Sequence, residues 1–135
     1  MSVDKIFIDS NVLLYLLGND EKKKALAIGL LSLENYISTQ VACENMNVCV
    51  KKLNMSTDLS YDHVERLLQN LSVVLIYPST IQLAYNVQSK YKFSFWDGLI
   101  IATAIENNCN ILYSEDMQDG QIINNTLKIV NPFKL

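Results

Sequence analysis

The stretch Ile6-Phe7-Ile8-Asp9-Ser10-Asn11-Val12-Leu13-Leu14-Tyr15-Leu16-Leu17-Gly18 decides how the chain is read. Ile6 to Ile8 favour extended backbone, and the run stops at a carboxylate. Ser10-Asn11 then leads into the apolar segment Val12 to Leu17, a short helix that Gly18 ends. A strand, an acid at its carboxyl end and a helix form the opening of a βα unit. If the rest of the chain repeats that alternation, the sheet is parallel.

The alternation does repeat. Leu26, Leu30 and Leu33 carry helical spacing, and Tyr36-Ile37-Ser38 reads as a second strand. Gln40 to Asn54 reads as a helix capped by Ser38 or Thr39. A further helix covers Ser60 to Leu71, with Val64, Leu67, Leu68 and Leu71 on one side. Val73-Val74-Leu75-Ile76 is a continuous apolar run that suits a strand buried on both faces. Pro78-Ser79 opens a helix running towards Lys90. Ser94 to Asn107 is the plainest helix of all. Ile111-Leu112-Tyr113 and Leu127-Lys128-Ile129-Val130 complete the strands, the last stopped by Asn131-Pro132. The expected fold is α/β, a central parallel sheet flanked by helices. Open sheets of this kind bind ligands outside the carboxyl ends of their strands, so the residues just after each strand carry the functional information.

The chain has 135 residues, half of them apolar and 19% charged, which suits one globular domain over 1–135. No internal repeat or low-complexity tract interrupts it. The net charge is −3, and Arg66 is the single arginine. A protein that held nucleic acid by neutralising phosphates would be more basic, unless a bound cation supplied the positive charge. Three cysteines, Cys43, Cys49 and Cys109, form no disulfide framework and suit reduced thiols in the cytoplasm. Cys43, Cys49 and His63 match no familiar zinc spacing. The N-terminus has no signal-peptide pattern, and the longest apolar stretch is too short to span a membrane.

Four acids stand where local structure does not require them. Asp9 and Asp116 follow the first strand and the strand at Ile111–Tyr113, at the same edge of the sheet. Each could also cap the next helix. Glu44 lies three residues after Val41 and four before Val48, so it interrupts an apolar stripe; a salt bridge or a place at the stripe's edge would equally satisfy it. Asp97 is followed by Ile100 and Ile101 on its own helix face. It also has the capping-box spacing from Ser94. Converging carboxylates repel one another and call for a cation. Hard oxygen donors suit Mg²⁺ or Mn²⁺, which would also supply the positive charge that the composition lacks. Asn11 and Ser114 can orient a carboxylate or a bound water, or else form an Asx turn and a helix cap.

With these motifs the chain resembles the PIN-domain ribonucleases, especially the VapC-like toxins of type II toxin–antitoxin systems. The residues that carry the likeness are Phe7-Ile8-Asp9-Ser10-Asn11-Val12-Leu13, Glu44, Phe95-Trp96-Asp97-Gly98-Leu99-Ile100-Ile101-Ala102-Thr103-Ala104 and Leu112-Tyr113-Ser114-Glu115-Asp116. The resemblance implies a Rossmann-like three-layer domain and Mg²⁺- or Mn²⁺-dependent hydrolysis of RNA. It implies Asp9, Glu44, Asp97 and Asp116 as catalytic acids, with Asp9, Asp97 and Asp116 holding metal and Asn11 and Ser114 in support. Asp116 fits the Ser-x-Asp spacing, and Asp119 is near enough to replace or assist it. The family's partners are RNA, a second copy of the chain and a small antitoxin that covers the acidic cleft. RNA contacts would come from Lys22, Lys23, Lys24, Lys51, Lys52, Lys90 or Lys92, although lysine runs are commonly solvated faces.

Two other readings compete. A PIN-like fold without catalysis could serve as a protein-binding module. Phosphotransfer on a similar sheet is the other. Asn11 stands where a haloacid-dehalogenase-like enzyme would need a second Asp, and Ile76-Tyr77-Pro78 offers no acid for a receiver domain.

Overall fold

The computed structural model describes residues 3–135. The elements in order are β1 (Ile6–Ile8), α1 (Ser10–Leu13), a 3₁₀ turn (Leu14–Leu17), α2 (Glu21–Leu31), β2 (Tyr36–Ser38), α3 (Thr39–Lys51), α4 (Thr57–Asn70), β3 (Ser72–Val74), α5 (Pro78–Tyr91), α6 (Phe95–Glu106), β4 (Ile111–Tyr113), β5 (Ile122–Ile123) and β6 (Leu127–Val130), with a closing 3₁₀ turn at Pro132–Lys134. The strands form one six-stranded sheet in the order β3-β2-β1-β4-β6-β5. Every pairing is parallel except β5 with β6. The α/β reading of the sequence therefore holds.

The strand order fixes where a ligand can sit. The chain begins near the middle at β1, steps outward to β2 and β3, and returns to the other side of β1 with β4. Connections that diverge from adjacent strands leave a crevice at their carboxyl ends. In this chain that crevice lies between the ends of β1 and β4.

Apolar side chains from both layers fill the core. Phe7, Ile8, Ile37, Leu112 and Ile129 of the sheet are fully buried, as are Leu67 and Ile101 of the helices. Helix α6 is buried continuously from Gly98 to Ala104, so it packs inside rather than presenting one wet face. At Gly98 it comes so close to α5 that an added Cβ would lie 3.0 Å from the Ala84 carbonyl oxygen.

Several local expectations are corrected. The apolar run Val73–Ile76 is not a central strand. Its strand is Ser72–Val74, at the edge of the sheet and only half-buried, and Leu75 beyond it is exposed. A continuous apolar run does not by itself separate edge from centre. Helix α2 stops at Leu31, which leaves Leu33 exposed past its end. The first helix begins at Ser10 and tightens into the 3₁₀ turn after Leu13. Helix α4 begins at Thr57 under a Ser56 cap, ahead of the expected Ser60. Strand β5 was not anticipated. It joins β6 through Asn124, Asn125 and Thr126; the two asparagines have positive φ (50° and 58°), as the centre of a primed turn requires, and the Thr126 amide closes that turn on the Ile123 carbonyl. Among the described residues no helix is long and apolar enough to cross a membrane.

Candidate active site

Strands β1 and β4 run in register, Ile8 opposite Tyr113. The residues after each strand are therefore neighbours, and the Asp9 amide donates to the Tyr113 carbonyl at 2.9 Å. Asp9 is buried. One carboxylate oxygen accepts the Ser10 amide at 2.7 Å and so caps α1. The other accepts the Ser114 hydroxyl at 2.9 Å and the Asn11 amide at 3.2 Å. The capping role and a place in the crevice thus coexist in one residue.

Asn11 fastens the two strand ends together. Its NH₂ group also reaches Asp116 at 3.2 Å, while its carbonyl oxygen accepts the Glu115 amide at 3.0 Å. Ser114 turns the chain after β4: its oxygen accepts the Met117 amide at 3.3 Å while its hydroxyl serves Asp9.

Helix α3 brings Glu44 to the same place. Ser38 at the end of β2 caps α3 by accepting the Val41 amide. The helix then buries Val41, Ala42, Asn45 and Cys49. Glu44 lies at the edge of that stripe, half-buried, rather than in its middle. It accepts a short hydrogen bond from the Ser10 hydroxyl and a longer one, 3.3 Å, from the Gln40 amide. Gln40 also donates to the Trp96 carbonyl at 3.2 Å, which ties α3 to the first turn of α6. Asp97 sits in that turn, and its backbone amide donates to Ser94 at 3.1 Å. Sequence reading assigns Gln40 no role in the site and gives Ser10 only a place in the motif after β1. Gln40 lies one helical turn before Glu44, and that spacing was the available signal.

Asp9, Glu44, Asp97 and Asp116 all line one cleft of about 510 Å³, shared with Ser10, Asn11, Asn47, Val48 and Lys52. Two nearby acids are engaged elsewhere. Glu115 pairs with Lys23 at 2.6 Å and accepts the Tyr15 hydroxyl. Asp119 accepts the Asn131 amide at 2.8 Å beyond β6 and does not line the cleft. The geometry therefore brings Asp116, and neither neighbour, together with the other three acids.

Electrostatics mark the cleft as short of positive charge. Burial pushes the Asp9 carboxyl up to about 6; the Ser114 and Ser10 hydrogen bonds oppose that, and the charges of Glu44 and Asp97 add to it. Asp97 is also raised, by burial first and then by Asp116, against the pull of Ser94. Asp9 is buried, Glu44 and Asp97 are half-buried and Asp116 is exposed, and carboxylate oxygens in such an under-compensated cluster fit a hard divalent cation in donor type and charge. Among the described residues, no three His, Cys, Asp or Glu side chains are gathered at metal-holding distance. The Asp9, Glu44 and Asp116 carboxylates are instead held by Ser10, Asn11, Gln40 and Ser114. The cysteine–histidine idea finds no support either. Cys43 is exposed, Cys49 is buried, and His63 shares a 2.8 Å hydrogen bond with Asn45.

A doubly wound sheet with an acidic cleft at its switch point defines a class of α/β proteins that work at the carboxyl edge. Within that class the chain belongs to the PIN-domain family, which it matches over residues 6–118. Solved structures share the fold at low identity. A toxin–antitoxin complex from Klebsiella pneumoniae superposes with a TM-score of 0.73 at 20% identity, over 95% of this chain and 98% of that one. DNA-bound VapBC from Salmonella typhimurium gives 0.72 at 14%, over 94% and 97%. Mycobacterium tuberculosis VapC20, a toxin that cleaves the sarcin–ricin loop, gives 0.67 at 15%, over 83% and 90%. No curated protein matches the chain in sequence.

Proposed function

We propose that this protein is a cytoplasmic ribonuclease that hydrolyses RNA phosphodiester bonds with Mg²⁺ or Mn²⁺, and that it is the toxin of a toxin–antitoxin pair. The reading rests on one observation above the rest: Asp9, Glu44, Asp97 and Asp116, spread over the sequence, line a single cleft at the switch point. Asp9, Asp97 and Asp116 would hold the ion, directly or through water. Bound there, it would lower the pKa of an attached water and offset the charge of the phosphodiester under attack. Glu44 keeps lone pairs free beyond those given to Ser10 and Gln40, so it can orient the attacking water and accept its proton. Asn11 and Ser114 fix the Asp9 carboxylate and keep it from turning away.

The test is Asp9→Asn in an RNA-cleavage assay with Mn²⁺. Cleavage should fall roughly a hundredfold or more, on the scale of losing one essential acid–base or ligand group, while the far-UV circular dichroism stays that of the parent. Undiminished metal-dependent cleavage would remove the assignment.

The partner part of the proposal is supported by the neighbours named above, two of which are toxin–antitoxin assemblies. Beside the acidic cleft opens an apolar pocket of about 320 Å³ lined by Leu14, Leu17, Val48 and Leu53, suited to apolar side chains of such a partner. The toxin itself is proposed to be a homodimer, which its mass in sedimentation equilibrium tests.

A further inference from the structure

The chain is acidic overall, so an RNA strand entering an acidic cleft needs local cations from the protein besides any ion at the acids. Seven lysines are candidates by sequence, and the structure separates them. Lys23 is committed to Glu115 and lies over the Tyr15 and Phe133 rings. Lys90 stands over the Tyr91 ring. Lys92 ends α5 in the left-handed region, at φ 65°. Lys22, Lys24 and Lys51 do not line the acidic cleft. Lys52 does, and no other lysine or arginine does. Among the described residues the one ion pair is Lys23–Glu115, so the Lys52 ammonium is not spent on a carboxylate.

Its place along α3 says what it would meet. Glu44, Val48 and Lys52 follow one another at intervals of four, and all three line the cleft. Lys52, the residue that caps α3, lies eight positions after Glu44, about 12 Å along the axis between their Cα atoms. Lys52 therefore joins the cleft wall two helical turns beyond Glu44. A lysine set back along the helix in this way is placed for a phosphate flanking the scissile one. Building on the ribonuclease reading, we propose that Lys52 is the cleft's own backbone-phosphate site, and that the RNA strand runs from the four acids along the C-terminal half of α3. Lys52 is a substrate-binding residue, with no part in the bond-breaking step.

A structural role is the rival explanation, because a lysine at a helix C-terminus favours the helix dipole. Salt dependence separates the two. The probe is a fluorescein-labelled single-stranded RNA of mixed sequence, bound by Asp9→Asn protein so that nothing is cleaved, with Kd measured across a KCl series. Adding Lys52→Ala should weaken binding roughly fivefold at moderate salt and flatten the slope of log K against log[KCl] by about 0.7, one phosphate contact on a single strand. Lys52→Arg should restore the slope. Lys51→Ala, one residue away and outside the cleft, should leave it unchanged. A change in melting temperature with no change in slope would assign Lys52 to the helix dipole and overturn the proposal, as would an equal effect of Lys51→Ala. No RNA binding by the Asp9→Asn parent overturns it as well. Cleavage of RNA by the unmodified protein then tells whether the ribonuclease reading falls with it.

Discussion

Asp9 does two jobs that pull in opposite directions, and the conflict has a measurable consequence. It caps α1 and it sits buried among other acids, with its carboxyl raised from 3.8 to about 6. Between those values the folded state binds more protons at this site than the unfolded chain does. Linkage then makes stability fall as pH rises through that window, and level off above it. A shift of this size corresponds to about 3 kcal/mol. Asp9→Asn lacks the titration. In urea unfolding with a chelator present, the parent should therefore lose about 2.4 kcal/mol of that relative to Asp9→Asn between pH 4 and pH 7.5, the rest falling below pH 4 where the unfolded carboxyl titrates. A flat difference over that range would mean that the burial of Asp9 is relieved in solution. Asp9 was legible in the sequence because a strand cannot continue comfortably through a carboxylate. The cost of its burial was not, since that depends on Glu44 and Asp97, which only the fold brings near.

At the scale of elements, legibility followed the strength of local pattern. Helix α6 and strands β1, β4 and β6 were placed closely because their runs are apolar and sharply ended. Glu44 was identified by its interruption of a stripe, and the structure moves it to the stripe's edge, where Ser10 and Gln40 can reach it. The edge position of β3 could not be read, because pairing partners are set by how α4 and α5 return the chain. Gly98 shows what else the sequence hides. Alanine is about 1 kcal/mol better than glycine inside a helix. Here its Cβ would press on the Ala84 carbonyl at 3.0 Å, a backbone atom held in the α5 ladder that has little room to give. Overpacking of this kind costs roughly 1–3 kcal/mol. Gly98→Ala should therefore lower the unfolding free energy by about 1 kcal/mol net. It should also weaken any activity that depends on the adjacent Asp97. A stabilised Gly98→Ala protein would show that α5 and α6 can separate without cost.

At the scale of the whole molecule the question is whether the acidic cleft serves chemistry or only recognition. A PIN-fold binding module would keep the sheet, the apolar pocket and a partner, and would need no ion. A nuclease of the proposed kind must bind one in its native state and not when unfolded. Mass action then stabilises the fold by about 2.7 kcal/mol at a hundred times the dissociation constant. For a domain of this length that is roughly 8 °C in melting temperature. Mn²⁺ titrated against the chelated protein should produce such a rise at neutral pH, where Asp9 is ionised and its burial is least compensated. The rise should be abolished in Asp97→Asn and unaffected by Lys51→Ala, since Asp97 lines the cleft and Lys51 does not. It should also shrink towards pH 5, as protons compete with the metal for Asp9. If millimolar Mn²⁺ leaves the melting temperature of the parent unchanged, the four acids are a recognition surface, and the binding-module reading replaces the ribonuclease.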